Sequence, residues 1–182
     1  LDKINNIDIY RWGTGDYAPH TRDMIKFRFE AVDSDSPNES NVMVFRAFLD
    51  KFDDSFNANH NEYQYNGRGE IFYTYNSFKR TINIGFKVAA QTRWEMMPIY
   101  RKLNYLVSNV APEYGKSGRI RTPFMKVTVG SYLSRTPGIL NNVNISWQKD
   151  YPWEIALDSP EEKMDAHMLV LPHVLDVSLQ FT

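Results

Sequence analysis

Only one stretch of this chain has the periodicity of a helix, and that limits what the chain can become. From Thr92 to Val110 the apolar residues Met96, Ile99, Tyr100, Leu103, Leu106, Val107 and Val110 recur every three or four positions, with Arg93, Glu95, Arg101, Lys102, Asn104 and Asn109 between them. The pattern predicts a helix that buries its Met96, Tyr100, Leu103, Val107 face and leaves the charged residues in water. Thr92 and Glu95 have the spacing of a capping box, in which each side chain accepts from the other's free backbone N–H. Pro98 has no N–H and presses on the preceding turn, which predicts a kink or a start shifted towards Met97. Pro112 marks the end.

Elsewhere the period is two. Lys79 to Ala90 alternates most cleanly, with Arg80, Ile82, Ile84, Phe86 and Val88 on one face and Thr81, Asn83, Gly85 and Lys87 on the other. Met24 to Ala31 places Ile25, Phe27, Phe29 and Ala31 on one side, and Val42 to Leu49 is apolar on both, as in a strand covered on both faces. Further strands are expected over Glu70–Tyr75, Phe124–Leu133, Ile139–Lys149, Tyr151–Leu157 and His173–Phe181, with Thr136-Pro137-Gly138 as a type II turn between the second and third of these. With roughly eight strands, one helix and no βαβ rhythm, the expected class is mostly β: two packed antiparallel sheets in a sandwich or barrel, with one flanking helix over about 92–110.

Two stretches depart from this pattern. Residues 1–23 read as an arm or edge strand. Residues 50–66 are too polar for a core strand and too aromatic for a linker, so they are expected to project and to complete their packing on another chain, turning at Asn66-Gly67.

The chain has 182 residues, 42% hydrophobic and 14% aromatic, enough for one domain with a real core. It starts at Leu1, not at a methionine, and is expected to be part of a longer chain. With 21 Lys and Arg against 22 Asp and Glu the net charge is −1, so no global field draws nucleic acid or an acidic membrane. There is no cysteine for a disulfide or thiolate zinc site, and no apolar run long enough to span a bilayer.

The short motifs fail on context. Asp33-Ser34-Asp35 begins like a calcium loop, but the sixth position is Asn38 and the twelfth is Val44. Gly115-Lys116-Ser117 lacks the earlier glycine of a phosphate loop, since Val110 stands there. Gly67-Arg68-Gly69 precedes a strand, whereas phosphate binding needs a helix amino terminus. The histidines His20, His60, His167 and His173 show no ligand spacing, and no nucleophile elbow is present. A non-enzyme without metal or cofactor is therefore expected. The rings Trp94, Tyr100, Tyr105 and Tyr114 around the helix, and Phe72, Tyr73, Tyr75 and Phe78 before it, read first as core packing.

Several runs together resemble one family. FRAFLDKFDDSF (45–56), YNGRGEIFYTYNSFKRTINIGFKVAAQTRWEMMPIYRKLNYL (65–106), Val127-Thr128-Val129-Gly130, Thr136-Pro137-Gly138-Ile139, Pro152-Trp153-Glu154-Ile155 and LPHVLDVSLQFT (171–182) are similar to the baseplate tube-initiator and tail-tube-cap proteins of contractile-tailed phages and related injection systems. The likeness runs from about Phe45 to the end and is most specific over Tyr65–Leu106. The resemblance implies a tail-tube fold assembled as a six-fold homo-oligomeric ring in the virion tail or baseplate, built in the host cytoplasm. Its partners would be an adjacent tail-tube protein, the baseplate hub and the tape-measure protein, with DNA only as passing cargo and no stable membrane binding. The resemblance brings no catalytic residue, cofactor or metal, and it does not separate the initiator from the ring below it.

Under this reading Phe52, Phe56, Tyr63, Tyr65, Arg68, Trp94, Lys116, Arg119 and Arg121 are candidate inter-subunit residues, the basic cluster facing an acidic partner such as the 158–165 loop of a neighbour. Asn142, Asn144, Ser146 and Gln148 are candidate lumen-facing residues, on a wall shared by strands 124–133 and 139–149. The rival reading is a carbohydrate-binding β-sandwich of a tail fibre or wall-binding protein, with Tyr63, Tyr65, Tyr73 and Tyr75 as one coplanar stacking platform. A hydrolase with a carboxylate pair has neither charge nor motif behind it.

Overall fold

The computed structural model describes residues 4–12, 25–115, 118–155, 157–158, 163–164 and 168–182. A 3-10 turn at Ile4–Asn6 leads into β1 (Tyr10–Trp12), β2 (Phe27–Val32), β3 (Ser40–Val44), β4 (Phe48–Gln64) and β5 (Ile71–Ala89). The helix α1 (Arg93–Ser108) follows, then β6 (Glu113–Tyr114), β7 (Ile120–Arg121), β8 (Met125–Val129), β9 (Leu133–Gly138) and β10 (Leu140–Trp147). The last strands are β11 (Leu157–Asp158), β12 (Lys163–Met164) and β13 (Val174–Phe181). One antiparallel sheet has the order β1-β3-β2-β8-β9 and the other β10-β13-β5-β4, with β6–β7 and β11–β12 as short ribbons. The class is the one the alternation predicts: mostly β, two main antiparallel sheets and one helix.

The core lies between the inward residues of the two sheets. Phe27 and Phe29 of β2 meet Phe86 of β5 at ring-centroid distances of 4.9 and 6.0 Å, and Phe45 lies 5.7 Å from Phe86. Ile82, Ile84 and Val88 of β5 and Leu175, Val177, Leu179 and Phe181 of β13 are buried in the same core, as their alternation requires. Ile99, Leu103 and Leu106 of α1 join it.

The helix corrects the sequence reading in three ways. It starts at Arg93 and runs through Pro98, so its start is not shifted. Thr92 makes no side-chain cap; the Glu95 carboxylate instead accepts from the Gln91 N–H at 2.8 Å, which forms half of a capping box one residue early. The buried stripe is Glu95, Met96, Ile99, Lys102, Leu103 and Leu106, whereas Val107 and Val110 are 41% and 38% exposed. The stripe is turned towards Lys102 because the residues 4–9 segment packs there and supplies an oxygen partner for its ammonium group.

Several strand boundaries also differ. The apolar run 42–49 is two strands in different sheets: Met43 and Phe45 enter the main core, Val42 and Val44 pack with Ile4, and the chain crosses over at 45–47. Glu70–Tyr75 and Lys79–Ala90 merge into the 19-residue β5. Thr136-Pro137-Gly138 is no turn but the end of β9; the turn is at Gly130, with φ +54° and the Tyr132 N–H donating to the Val129 carbonyl at 3.2 Å. Tyr151–Ile155 holds only a single bridge, Trp153 to Pro172. Ile25, expected on a buried face, is 73% exposed ahead of β2.

Candidate functional site

Two surfaces of the sheet β10-β13-β5-β4 remain uncovered. The first is the hairpin β4–β5. Backbone partners run from Phe48↔Lys87 to Gln64↔Ile71, with register shifts after Leu49 and after Asn59, and the turn at Asn66-Gly67 uses φ +83° at Gly67. Within the body the hairpin lies over the core, but every residue from Ser55 to Lys79 is exposed. The part beyond Phe56 adds about 25 Å of two-stranded ribbon at the usual rise per residue. Of the stretch 50–66 expected to project, residues 50–54 instead run along the body part of β5, and the ribbon that projects is the part beyond Phe56 together with the first half of β5.

Partners opposite one another in an antiparallel pair share a face, so the register sorts the rings. Ile82, Ile84 and Phe86 face the core, and Arg80 and Phe78, with partners Phe56 and Ala58, continue that face outward. A bulge follows Asn59, after which His60↔Tyr75, Glu62↔Tyr73 and Gln64↔Ile71 keep the same side. Phe56, Phe78, Tyr75, Tyr73 and Ile71 thus form one stripe. Tyr63↔Phe72 lies on the other face, where Tyr65 packs edge-on against Phe72 at 5.5 Å. Tyr63 and Tyr65 are on the opposite side from Tyr73 and Tyr75, so the four rings make no single platform for a sugar.

The root of the hairpin is braced. Arg80 donates to both Asp54 oxygens, at 3.0 and 2.6 Å, Tyr132 donates to the same carboxylate at 3.0 Å, and the guanidinium sits 5.0 Å from the centre of the Phe56 ring. The Arg80 hydrogen bonds hold the Asp54 carboxyl below its ordinary range. Phe52 is half-buried edge-on against Tyr132 at 5.6 Å.

The second uncovered surface is the outer face of the same sheet. Asn144, Ser178, Gly85 and Lys51 form one row across all four strands, and Asn142, Gln180, Asn83 and Asp53 form the next. The amides link across strands, Gln180 to Asn83 at 3.3 Å and Gln148 to Asp176 at 2.7 Å. The lysines are neutralised in place: Lys51 lies 2.9 Å from Asp53, and Lys87 lies 3.7 Å from Asp176. A shallow depression of about 270 Å³ runs over Asn83, Gly85, Asn142 and Gln180. Asn142, Asn144, Ser146 and Gln148 thus share one polar face, as expected. The neighbour of their strand is β13, however; strand 124–133 is β8, in the other sheet.

The remaining predicted residues scatter. Arg68 is exposed at the hairpin tip, and Trp94 is 76% exposed in the first turn of α1. Arg119 is exposed, and Arg121 pairs with Asp35 of its own chain at 2.8 Å. Lys116, His20, His167 and most of the 158–165 loop lie outside the described residues. Tyr100 and Tyr105 are half-buried, donating to the Pro172 carbonyl at 3.0 Å and accepting from Asn41 at 2.8 Å, whereas Tyr114 is exposed.

The chain matches no model of a protein family and no curated protein. Among the described residues no three His, Asp or Glu side chains gather as metal ligands would, and no helix is long and apolar enough to cross a membrane. The sequence reading missed Ile71 and Phe78 as surface residues, because alternating rings beside a strong core strand look like core. Their signal was the length of the run: 19 residues of strand outreach a body whose other described strands have eight or fewer, the partner β4 apart.

Proposed function

We propose that this chain is a non-enzymatic structural subunit that assembles into a ring at the junction of baseplate and tail tube in a contractile injection tail, as initiator or cap of the tube. The observation that carries the reading is the braced hairpin, 25 residues from Ser55 to Lys79 with every side chain exposed and rings on both faces. A monomer gains nothing from ordering so much apolar surface in water. The sheet edges support the same reading. β4 and β10 border one sheet, and strand addition at such edges joins copies head to tail. A closed ring of this kind, six-fold by the resemblance, would turn the neutral amide face of the sheet inward. A conduit so lined lets DNA pass, because its lysines are already paired with carboxylates and hold each phosphate weakly.

Native mass measurement and electron microscopy of the purified protein test the reading. Rings are expected, with weak and salt-sensitive retention of duplex DNA at physiological ionic strength. A chain that stays monomeric at high concentration, or a ring lined by unpaired Lys and Arg that holds DNA tightly, overturns it. Deleting 50–66 outright would remove part of an edge strand of the body, since Lys51 pairs with Gly85 and Phe52 with Ile84. Replacing 59–77 by Asn-Gly shortens only the projecting part. That variant is expected to fold and to lose the ring.

A further inference from the structure

The two faces of the hairpin are unequal, and the body holds a counterpart to one of them. Phe56, Phe78, Tyr75, Tyr73 and Ile71, on the core-side face, are between 47% and 62% exposed. At roughly 200 Å² per large side chain they offer on the order of 500 Å² of contact, over half of the ~800 Å² that one partner gives to a stable interface. At the base of the sandwich a cleft of about 520 Å³ is open among Ile25, Phe27, Phe45, Ala47, Leu49 and Val129, large enough for two or three rings. Along the inward face of β4, Leu49 at the cleft, Phe52 against Tyr132 and Phe56 at the start of the stripe follow in that order, so the extended ribbon leads away from the cleft of its own copy. The charges match as well. Among the described residues Arg46 is the one charged side chain lining the cleft, and Glu62 lies on the stripe face opposite Tyr73.

We infer that the aromatic stripe of one copy docks in the apolar cleft of a second copy, with Glu62 beside Arg46, and that the Tyr63–Phe72 face stays outside this contact. The inference rests on the ring reading and deepens it. The two surfaces are unlike, so each copy keeps one of each to offer and the contact repeats head to tail.

The chain has no cysteine of its own, which makes crosslinking clean. In the full chain, Tyr75→Cys with Ile25→Cys is expected to give a disulfide ladder between copies on mild oxidation, and Tyr63→Cys with Ile25→Cys to give none. Glu62→Arg and Arg46→Glu are each expected to weaken association at least tenfold, and together to restore most of it. If the unaltered chain forms rings but the Tyr75→Cys, Ile25→Cys protein gives no ladder, or the Tyr63→Cys, Ile25→Cys protein gives one, the docking face is overturned and the ring reading stands. An unaltered chain that is monomeric, with no ladder from either double variant, overturns both. Single charge reversals that leave association unchanged overturn the Glu62–Arg46 register.

Discussion

Asp54 and Arg80 face each other across the root of the β4–β5 hairpin, the guanidinium donating from Nε at 3.0 Å and from Nη2 at 2.6 Å to the two carboxylate oxygens. Each belongs to the inward face of its strand, at the point where the core ends. A fork-to-fork pair fixes orientation as well as distance, and with Tyr132 on the same carboxylate it ties the ribbon to the β8–β9 turn.

Breaking that pair is expected to loosen the hairpin without unfolding the body. Asp54→Asn keeps the shape and removes the charge, and a cost of about 1–3 kcal/mol is expected for the lost charged hydrogen bonds. Amide exchange at 54–58 and 78–82 should speed up by one to two orders of magnitude while the β13 amides stay protected. The pH dependence has a definite sign. A carboxyl lowered by Arg80 adds stability that is full above its unfolded value near 4 and is lost as pH falls through the lowered value. Unchanged exchange in Asp54→Asn would show that the brace does not aim the hairpin.

The helix phase gives a paired test. Leu103 is 1% exposed and Val107 41% exposed, although the sequence puts both on one apolar stripe. Leu103→Ala is expected to cost about 2–5 kcal/mol in urea unfolding, the range for a buried leucine. Val107→Ala should stay within about 1 kcal/mol. Equal costs would restore the phase that periodicity predicts.

Gly138 marks where β9 leaves one sheet and β10 enters the other. A Cβ there would stand 2.5 Å from the Thr182 carbonyl oxygen and 2.6 Å from the Phe181 ring, both held by the Ile139–Thr182 backbone pair at 2.8 and 2.9 Å. Gly138→Ala is therefore expected to destabilise by about 1–3 kcal/mol, as overpacking does. Chemical denaturation checks it, and a neutral result would mean that the corner gives way freely.

Gly138 also shows where sequence reasoning stops. Pro-Gly at 137–138 carries a turn signal, yet what selects glycine is the packing of Phe181 and Thr182, far along the chain, which no local pattern contains. Strands of strict alternation, such as Ile82–Val88 and Leu175–Phe181, were legible because half-burial repeats every two residues. The projecting hairpin was legible only on its polar strand. On β5 the rings Tyr73, Tyr75 and Phe78 follow the same code as a core, and exposure depends on where the opposing sheet ends. The amide face was legible as Asn142, Asn144, Ser146 and Gln148, whereas its neighbours in the sheet depend on non-local pairing.

Lys102 is the largest departure from the expected polar face, and it yields the last prediction. Its side chain is fully buried, with Nζ donating to the Val44 carbonyl at 2.8 Å and to the Asn5 carbonyl at 3.4 Å, and lying 5.1 Å from the centre of the Phe45 ring. Burial lowers its pKa to about 8, against a smaller opposite pull from Asp8 and Glu95. Asp8 is itself bound by Arg101 at 2.8 Å and Glu95 by the Gln91 N–H, so each carboxylate is held by another donor. A base whose folded pKa is lowered costs stability wherever the folded state must hold the proton. The cost is full below about 8 and is relieved as pH rises from there towards the unfolded value near 10.4. Between pH 7 and 9.5 the relief amounts to about 2 kcal/mol from this group. Urea unfolding of the intact protein and of Lys102→Met at both pH values isolates the effect. The intact protein is expected to gain on that interval relative to the variant, in which the group that titrates is gone. A parallel pH response of the two proteins would mean that Lys102 keeps its proton throughout, with the two carbonyls and the Phe45 ring replacing water in full.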